Sequence, residues 1–205
     1  MPSAEANPSS AAEAPAEVRD GAWVDLAPYT VGDYHPGRGA LVRLIWILVS
    51  CVAFEGGWFV LGRVKPWVLR RFGAKIGRGV VIKPNVRIKH PWRLSVGDHV
   101  WVGQGVWIDN IVEVEIGSHV CVSQGVYFCT GSHDHRRPSF DLTPQAIRVG
   151  SGAWVAARAT LLPGVSIGRN ALVAACSVVT SDVPPGVIVA GNPARKVRDR
   201  EQPAT

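Results

Sequence analysis

Thr130-Gly131-Ser132-His133-Asp134-His135 is the stretch of this chain best equipped for chemistry. An imidazole has an ordinary pKa near 6.5, so His133 can accept a proton close to neutrality. Taking the proton of a hydroxyl as it attacks an acyl carbon is the usual work of such a base. His135 is the fallback base, and Asp134 is a candidate to orient an imidazole. Trp107-Ile108-Asp109-Asn110 offers an aromatic face, a carboxylate and an amide. Trp107 reads either as a platform for a sugar ring or as packing beside a corner. Asn110 reads either as a polar ligand-binding group or as a turn residue. His99 and His119 fall at matching repeat positions, where a metal site is conceivable but a solvated histidine ladder fits better. Cys51, Cys121, Cys129 and Cys176 include no CxxC spacing and read as reduced structural thiols rather than nucleophiles.

The elements that must hold these residues follow from a hexapeptide period running from Ile76 to Val183. Aliphatic anchors fall at Ile76, Ile82 and Ile88, then at Val96, Val102 and Ile108. They resume at Ile116 and Val122, with Phe128 as the one aromatic, and return from Val149 to Val179. A small or β-branched residue follows four positions after almost every anchor. This is the signature of a parallel β-helix, in which each coil buries its anchors only against the coils above and below. Ile76 to Val96 and Val96 to Ile116 are each three hexads plus two residues, whereas Val149 to Ile167 is three hexads with nothing added. A coil is therefore three short strands and the section is triangular. Between Ile116 and Val149 the excess is a long polar insertion, read as a catalytic loop over residues 130–148. Long loops ejected from compact repeats usually carry function.

Four regions result. Residues 1–40 read as a disordered or extended arm, acidic overall: Met1–Asp33 holds six acidic residues and Arg19 as its one cation. Residues 41–74 read as an apolar helical segment. Its core, Leu44–Phe54, is too short for the roughly 20 residues needed to span a bilayer. It reads as a cap on the solenoid, as a membrane-associated helix, or as both. Residues 75–190 are the β-helix, and 191–205 a basic C-terminal tail. Arg63 to Arg93 carries ten Lys or Arg and no acidic residue, suited to anionic headgroups, a sugar diphosphate or an acidic glycan. No recognised nucleic-acid motif accompanies the charge. Met1–Glu17 lacks the basic start and apolar run of a signal peptide. The reading is cytoplasmic, with the inner face of the cell membrane as the alternative placement.

Several motifs occur together in order: the hexapeptide block, Thr130-Gly131-Ser132-His133-Asp134, Gly164-Val165-Ser166-Ile167-Gly168, Ser177 to Pro185, and Ala190-Gly191-Asn192-Pro193-Ala194. On these the chain resembles the hexapeptide-repeat acyltransferases, and within them the sugar O-acetyltransferases of the colanic-acid-biosynthesis type. The resemblance implies an all-β, left-handed parallel β-helix with an N-terminal helical segment, assembled as a homotrimer. It implies acetyl transfer from acetyl-CoA to a saccharide hydroxyl, of a surface or exopolysaccharide precursor that is free or lipid-linked. It needs no metal and no covalent intermediate, and makes His133 the general base. Asp109 or Asn110 would hold the acceptor. Ala157 and Ala175 would offer backbone groups to the pantetheine arm, with Thr180 nearby and Trp154 as a wall, and Arg195 and Arg198 would meet the phosphates. Some relatives carry Ser where this chain has Ala157, which leaves the backbone N–H to steady an oxyanion. The alternative is a non-catalytic glycan-binding scaffold, which would bind no coenzyme.

Overall fold

The computed structural model describes residues 22–56 and 64–201. The expected disorder of residues 1–20 and the apolar run Trp58–Leu61 lie outside the described residues.

Six turns of parallel β-structure form the body. β1 (Lys75–Ile76), β2 (Val81–Ile82) and β3 (Arg87–Ile88) make the first coil; β4 (Leu94–Val96), β5 (Trp101–Val102) and β6 (Trp107–Asp109) make the second. The third is β7 (Val114–Ile116), β8 (Cys121–Val122) and β9 (Tyr127–Cys129), and the fourth β10 (Ile147–Val149), β11 (Trp154–Val155) and β12 (Thr160–Leu161). The fifth is β13 (Ser166–Ile167), β14 (Leu172–Val173) and β15 (Val178–Val179). Every third strand pairs in parallel, giving three faces that begin with β1, β2 and β3. The stack does not end at Pro184-Pro185-Gly186. Val183 bridges to Ile167, and β16 (Val187–Ala190) adds a sixth rung on β14. Nor is the basic tail loose: β17 (Arg195–Asp199) turns back antiparallel on β16.

The anchors point inward as their period requires. Ile82, Val102, Val122, Val155, Val173 and Val189 form one buried column, and Ile88, Ile108, Phe128, Leu161 and Val179 another. Each fully buried aliphatic side chain contributes about 1.5–3 kcal/mol, so these columns carry the stability. The glycine after the anchor has a steric cause. A Cβ on Gly77 would lie 2.5 Å from the Gly97 carbonyl carbon one coil above.

Two of the three corners turn through a left-handed residue in every coil. At the corner after the first face these are Gly79, His99, His119, Gly152, Asn170 and Gly186. The His99 and His119 rings stack at 5.2 Å, and a Cβ on Gly79 would meet His99 Nδ1 at 2.5 Å. The histidine ladder is therefore a packed edge that folds over a glycine corner. Among the described residues no group of three or more His, Cys, Asp or Glu could hold a metal ion.

The lower end is covered by helices. α1 (Ala40–Ser50) runs into a π-helical turn (Cys51–Glu55), and α2 (Val64–Arg71) precedes β1. Trp46 donates its indole N–H to the Ile88 carbonyl at 2.9 Å and packs against Phe54 and Phe72. Lys65, wholly buried, donates to the Lys83 carbonyl at 3.0 Å. The opposite side of α1 is not covered by the described residues: Leu41, Leu44, Ile45, Leu48 and Val52, one helical stripe, are all exposed. Among the described residues no helix is long and apolar enough to cross a membrane. Cys51, Cys121, Cys129 and Cys176 are all free.

Candidate active site

The long insertion leaves the third corner after β9 and is a twisted hairpin. Gln145 N–H donates to Thr130 O, Thr143 N–H to Ser132 O, and Asp134 N–H to Asp141 O at 2.7–2.9 Å. Its root is stitched to the coil below: Thr130 Oγ1 donates to Asp109 O at 2.8 Å and accepts from Ile111 N–H at 3.0 Å. A buried hydroxyl with both roles filled holds the hairpin rigidly to the prism.

His133 pairs across this hairpin with Leu142. Its Nδ1 lies 2.9 Å from the Phe140 carbonyl oxygen. A carbonyl only accepts, so Nδ1 carries the proton and Nε2 keeps its lone pair. The imidazole is stacked on the Phe140 ring (4.3 Å, 4°), and Tyr29 of the N-terminal arm lies 5.6 Å away. Phe140 has φ +50°, uncommon for a bulky residue. Its backbone is held left-handed where its carbonyl and ring both serve His133, as strained residues at functional sites often are.

Asp134 does something else. It accepts from Arg136 N–H and Nε–H, both at 3.1 Å, and these bonds hold its carboxyl below the usual range. It closes the hairpin turn, and the orienting group of His133 is a backbone carbonyl. Residue type carries no trace of such a partner, so Phe140 and Tyr29 were not among the candidates read from the sequence. His135 is exposed at the turn.

The acceptor candidates are already engaged. Asn110 is fully buried; its Oδ1 accepts from His90 N–H at 3.0 Å and its Nδ2–H donates to His90 O. Both amide heavy atoms are thus engaged with the His90 backbone. Trp107 lies in register between Arg87 and Tyr127, with the guanidinium 4.4 Å from its ring centroid and the phenol ring stacked at 4.6 Å. Both of its faces are covered within the protomer. Asp109 is ion-paired with Lys89 at 2.9 Å and accepts from Tyr127 Oη at 3.3 Å.

The expected coenzyme residues sit elsewhere. Ala157 and Ala175 are at the second corner, in the fourth and fifth coils. Their neighbours are bonded, Arg158 N–H to Gln124 O and Cys176 N–H to Ala157 O. Neither alanine N–H donates to a backbone carbonyl among the described residues. Trp154 is exposed on β11 and donates to Ser123 Oγ at 2.9 Å. Arg195 and Arg198 are exposed on β17, Arg198 pairing with Glu201 at 3.1 Å. Arg200, not singled out from sequence, pins the strand by donating to the carbonyls of Gly152 and Asn170. Thr180 is exposed at the third corner, above the hairpin. Within one protomer a whole face, about five residues or 16 Å wide, separates the second corner from the hairpin root.

A triangular prism of hexapeptide coils that ejects a hairpin bearing a tautomer-fixed histidine defines a class. The chain belongs to the hexapeptide-repeat transferase family and is an acetyltransferase of it. The family model for the bacterial transferase hexapeptide (six repeats) matches residues 146–181. The chain is 40% identical over 176 residues to WcaF of Escherichia coli strain K12, a protein named for an acetyltransferase role in colanic acid biosynthesis; the match covers 86% of this chain and 97% of the relative. It is 27% identical to the galactoside O-acetyltransferase of the same strain, over 83% of this chain and 74% of the relative. The fold also matches the hexapeptide-repeat acetyltransferase VCA0836 of Vibrio cholerae, solved with acetyl coenzyme A. The TM-score is 0.70 at 24% identity, covering 79% of this chain and 88% of that one.

Proposed function

We propose that this protein transfers acetyl from acetyl-CoA to a hydroxyl of a saccharide, a precursor of a surface or exopolysaccharide, with His133 as general base. The observation that carries the reading is the Nδ1–H bond of His133 to the Phe140 carbonyl, which leaves Nε2 as the free basic atom. Nε2 takes the acceptor hydroxyl proton as its oxygen attacks the thioester carbonyl carbon. The tetrahedral oxyanion is met by the Ala157 N–H. Collapse breaks the carbon–sulfur bond, and the imidazolium returns its proton to the departing thiolate. No covalent enzyme intermediate is required.

Ala175 and Thr180 line the pantetheine path, Trp154 walls it, and Arg195 and Arg198 meet the phosphates, where charge-assisted bonds are strongest. The separation of the second corner from the hairpin root supports a homotrimer. A neighbouring copy would bring its hairpin to this corner, and each site would lie between two prisms. The exposed stripe of α1, with the cations Arg70 and Arg71 on α2, supports peripheral contact of residues 41–71 with the inner face of a cell membrane. The protein is then cytoplasmic and its acceptor lipid-linked.

Release of free CoA thiol with a saccharide acceptor, compared between the wild type and His133→Ala, tests the reading. The wild type should turn over and the variant should not. Equal rates would remove His133 from the mechanism.

A further inference from the structure

Trp107 and Asn110 are engaged in intramolecular contacts, which leaves a place for other groups to hold the acceptor. A cavity of about 640 Å³ lies between the N-terminal arm (Thr30–His35), Arg93, Val112 and Glu113 of the third corner, and Asp141–Leu142 of the hairpin. That volume lies within the 300–1,000 Å³ common for small-ligand sites. We propose that this cavity is the acceptor subsite and that it takes an uncharged saccharide. The assignment rests on the acetyl-transfer reading and deepens it.

Two independent paths connect the cavity to the base. Leu142 is the cross-strand partner of His133, and directly paired residues point to the same side of a two-stranded ribbon. Tyr29, whose ring touches His133, is followed by Thr30, which lines the cavity. The arm is fixed in place. Asp25 N–H donates to Pro138 O at 3.0 Å, Trp92 Nε1–H to Pro36 O at 2.7 Å, and Arg93 donates to His35 O while lying 5.3 Å from the Tyr34 ring centroid.

The lining chemistry selects the ligand. Arg93 Nη1 is buried and has no hydrogen-bond partner among the described residues. That atom is closed to solvent, so the rest of the Arg93 side chain is what the cavity offers a ligand. Asp33 and Glu113 form no ion pair among the described residues, and carboxylates are acceptors only. Sugar hydroxyls supply both a donor and an acceptor to such a set. An acidic sugar would meet two carboxylates without an ion pair among the described residues, Asp33 and Glu113, against the one lining guanidinium of Arg93, since Asp141 is already paired with Arg137 at 3.1 Å, and is disfavoured.

The test uses the full chain with methyl β-galactopyranoside and maltose as probes. Methyl and amide resonances are followed during titration in the presence of CoA. The expected result is perturbation at Thr30–His35, Val112 and Leu142. No perturbation by either sugar, or perturbation confined to the groove beside Trp107, overturns the assignment. In acetyl-transfer kinetics with a bound sugar, Asp33→Asn combined with Glu113→Gln should raise the acceptor KM about tenfold or more. The KM for acetyl-CoA should stay unchanged. A parallel rise of both, or of neither, also overturns it. Loss of transfer in the wild type with sugar still bound in the cavity would sink the acetyl-transfer reading and leave the binding site standing.

Discussion

Acid should loosen this protein through one residue, His90. Its ring is buried beneath the arm, 3.2 Å from Asn110 O through Nδ1 and 3.4 Å from Tyr34 Oη, and it packs on Trp92. Burial, followed by the nearby cations Arg93, Lys89 and Arg43, lowers its pKa from 6.5 to about 4, outweighing the hydrogen bond to Asn110, which raises it. The unfolded chain takes up a proton at this residue as pH falls through 6.5, while the folded chain resists until about 4. The unfolded state therefore binds more protons across that window, and stability falls as pH falls. Each unit is worth about 1.4 kcal/mol, so the loss between pH 6.5 and pH 4 is about 3 kcal/mol. His90→Asn keeps an N–H donor near the Nδ1 position and removes the titration. Urea unfolding of both proteins at intervals from pH 7 to pH 4 should show the wild type losing about 3 kcal/mol more than the variant. Parallel profiles would refute the reasoning. The loss should register first at the arm, because Tyr34 meets this ring, so Tyr34 fluorescence should change ahead of prism melting.

Three further outcomes are expected. His133→Ala should lower kcat by about 10²–10⁴ with little change in the acetyl-CoA KM, read by thiol release. Gly79→Ala places a Cβ 2.5 Å from His99 Nδ1 at φ +64°, and should cost about 1–3 kcal/mol, measured by denaturant unfolding; adding His99→Ala should recover part of that loss. Leu44→Glu with Leu48→Glu, both on the exposed stripe, should abolish sedimentation with phosphatidylglycerol vesicles while leaving thermal unfolding nearly unchanged; retained sedimentation would exclude α1 as the contact.

The triangular section and the corner of the long insertion were legible in the residues. Period six with a two-residue excess places Val96 and Ile116 on one face, and the strand register agrees. The return of the tail was not legible: Arg195–Asp199 reads as a run of solvated cations, yet it pairs antiparallel on β16. The surroundings of the acceptor candidates were not legible either. Trp107, Asp109 and Asn110 have residue types suited to sugars, but each is one rung of an axial column whose neighbours are 20 residues away in sequence. Arg87, Lys89 and His90 consume them, and only the stacking register reveals it. The orienting carbonyl of Phe140 belongs to the backbone and leaves no mark on composition.

β17 has a consequence for assembly. A solenoid with a bare final rung can template another copy end to end, because unpaired strand edges recruit strands. Here the returning strand occupies the free edge of β16, so that edge is already paired. Filament growth from the upper end is thereby discouraged, and lateral contact between prisms remains the open route to self-association.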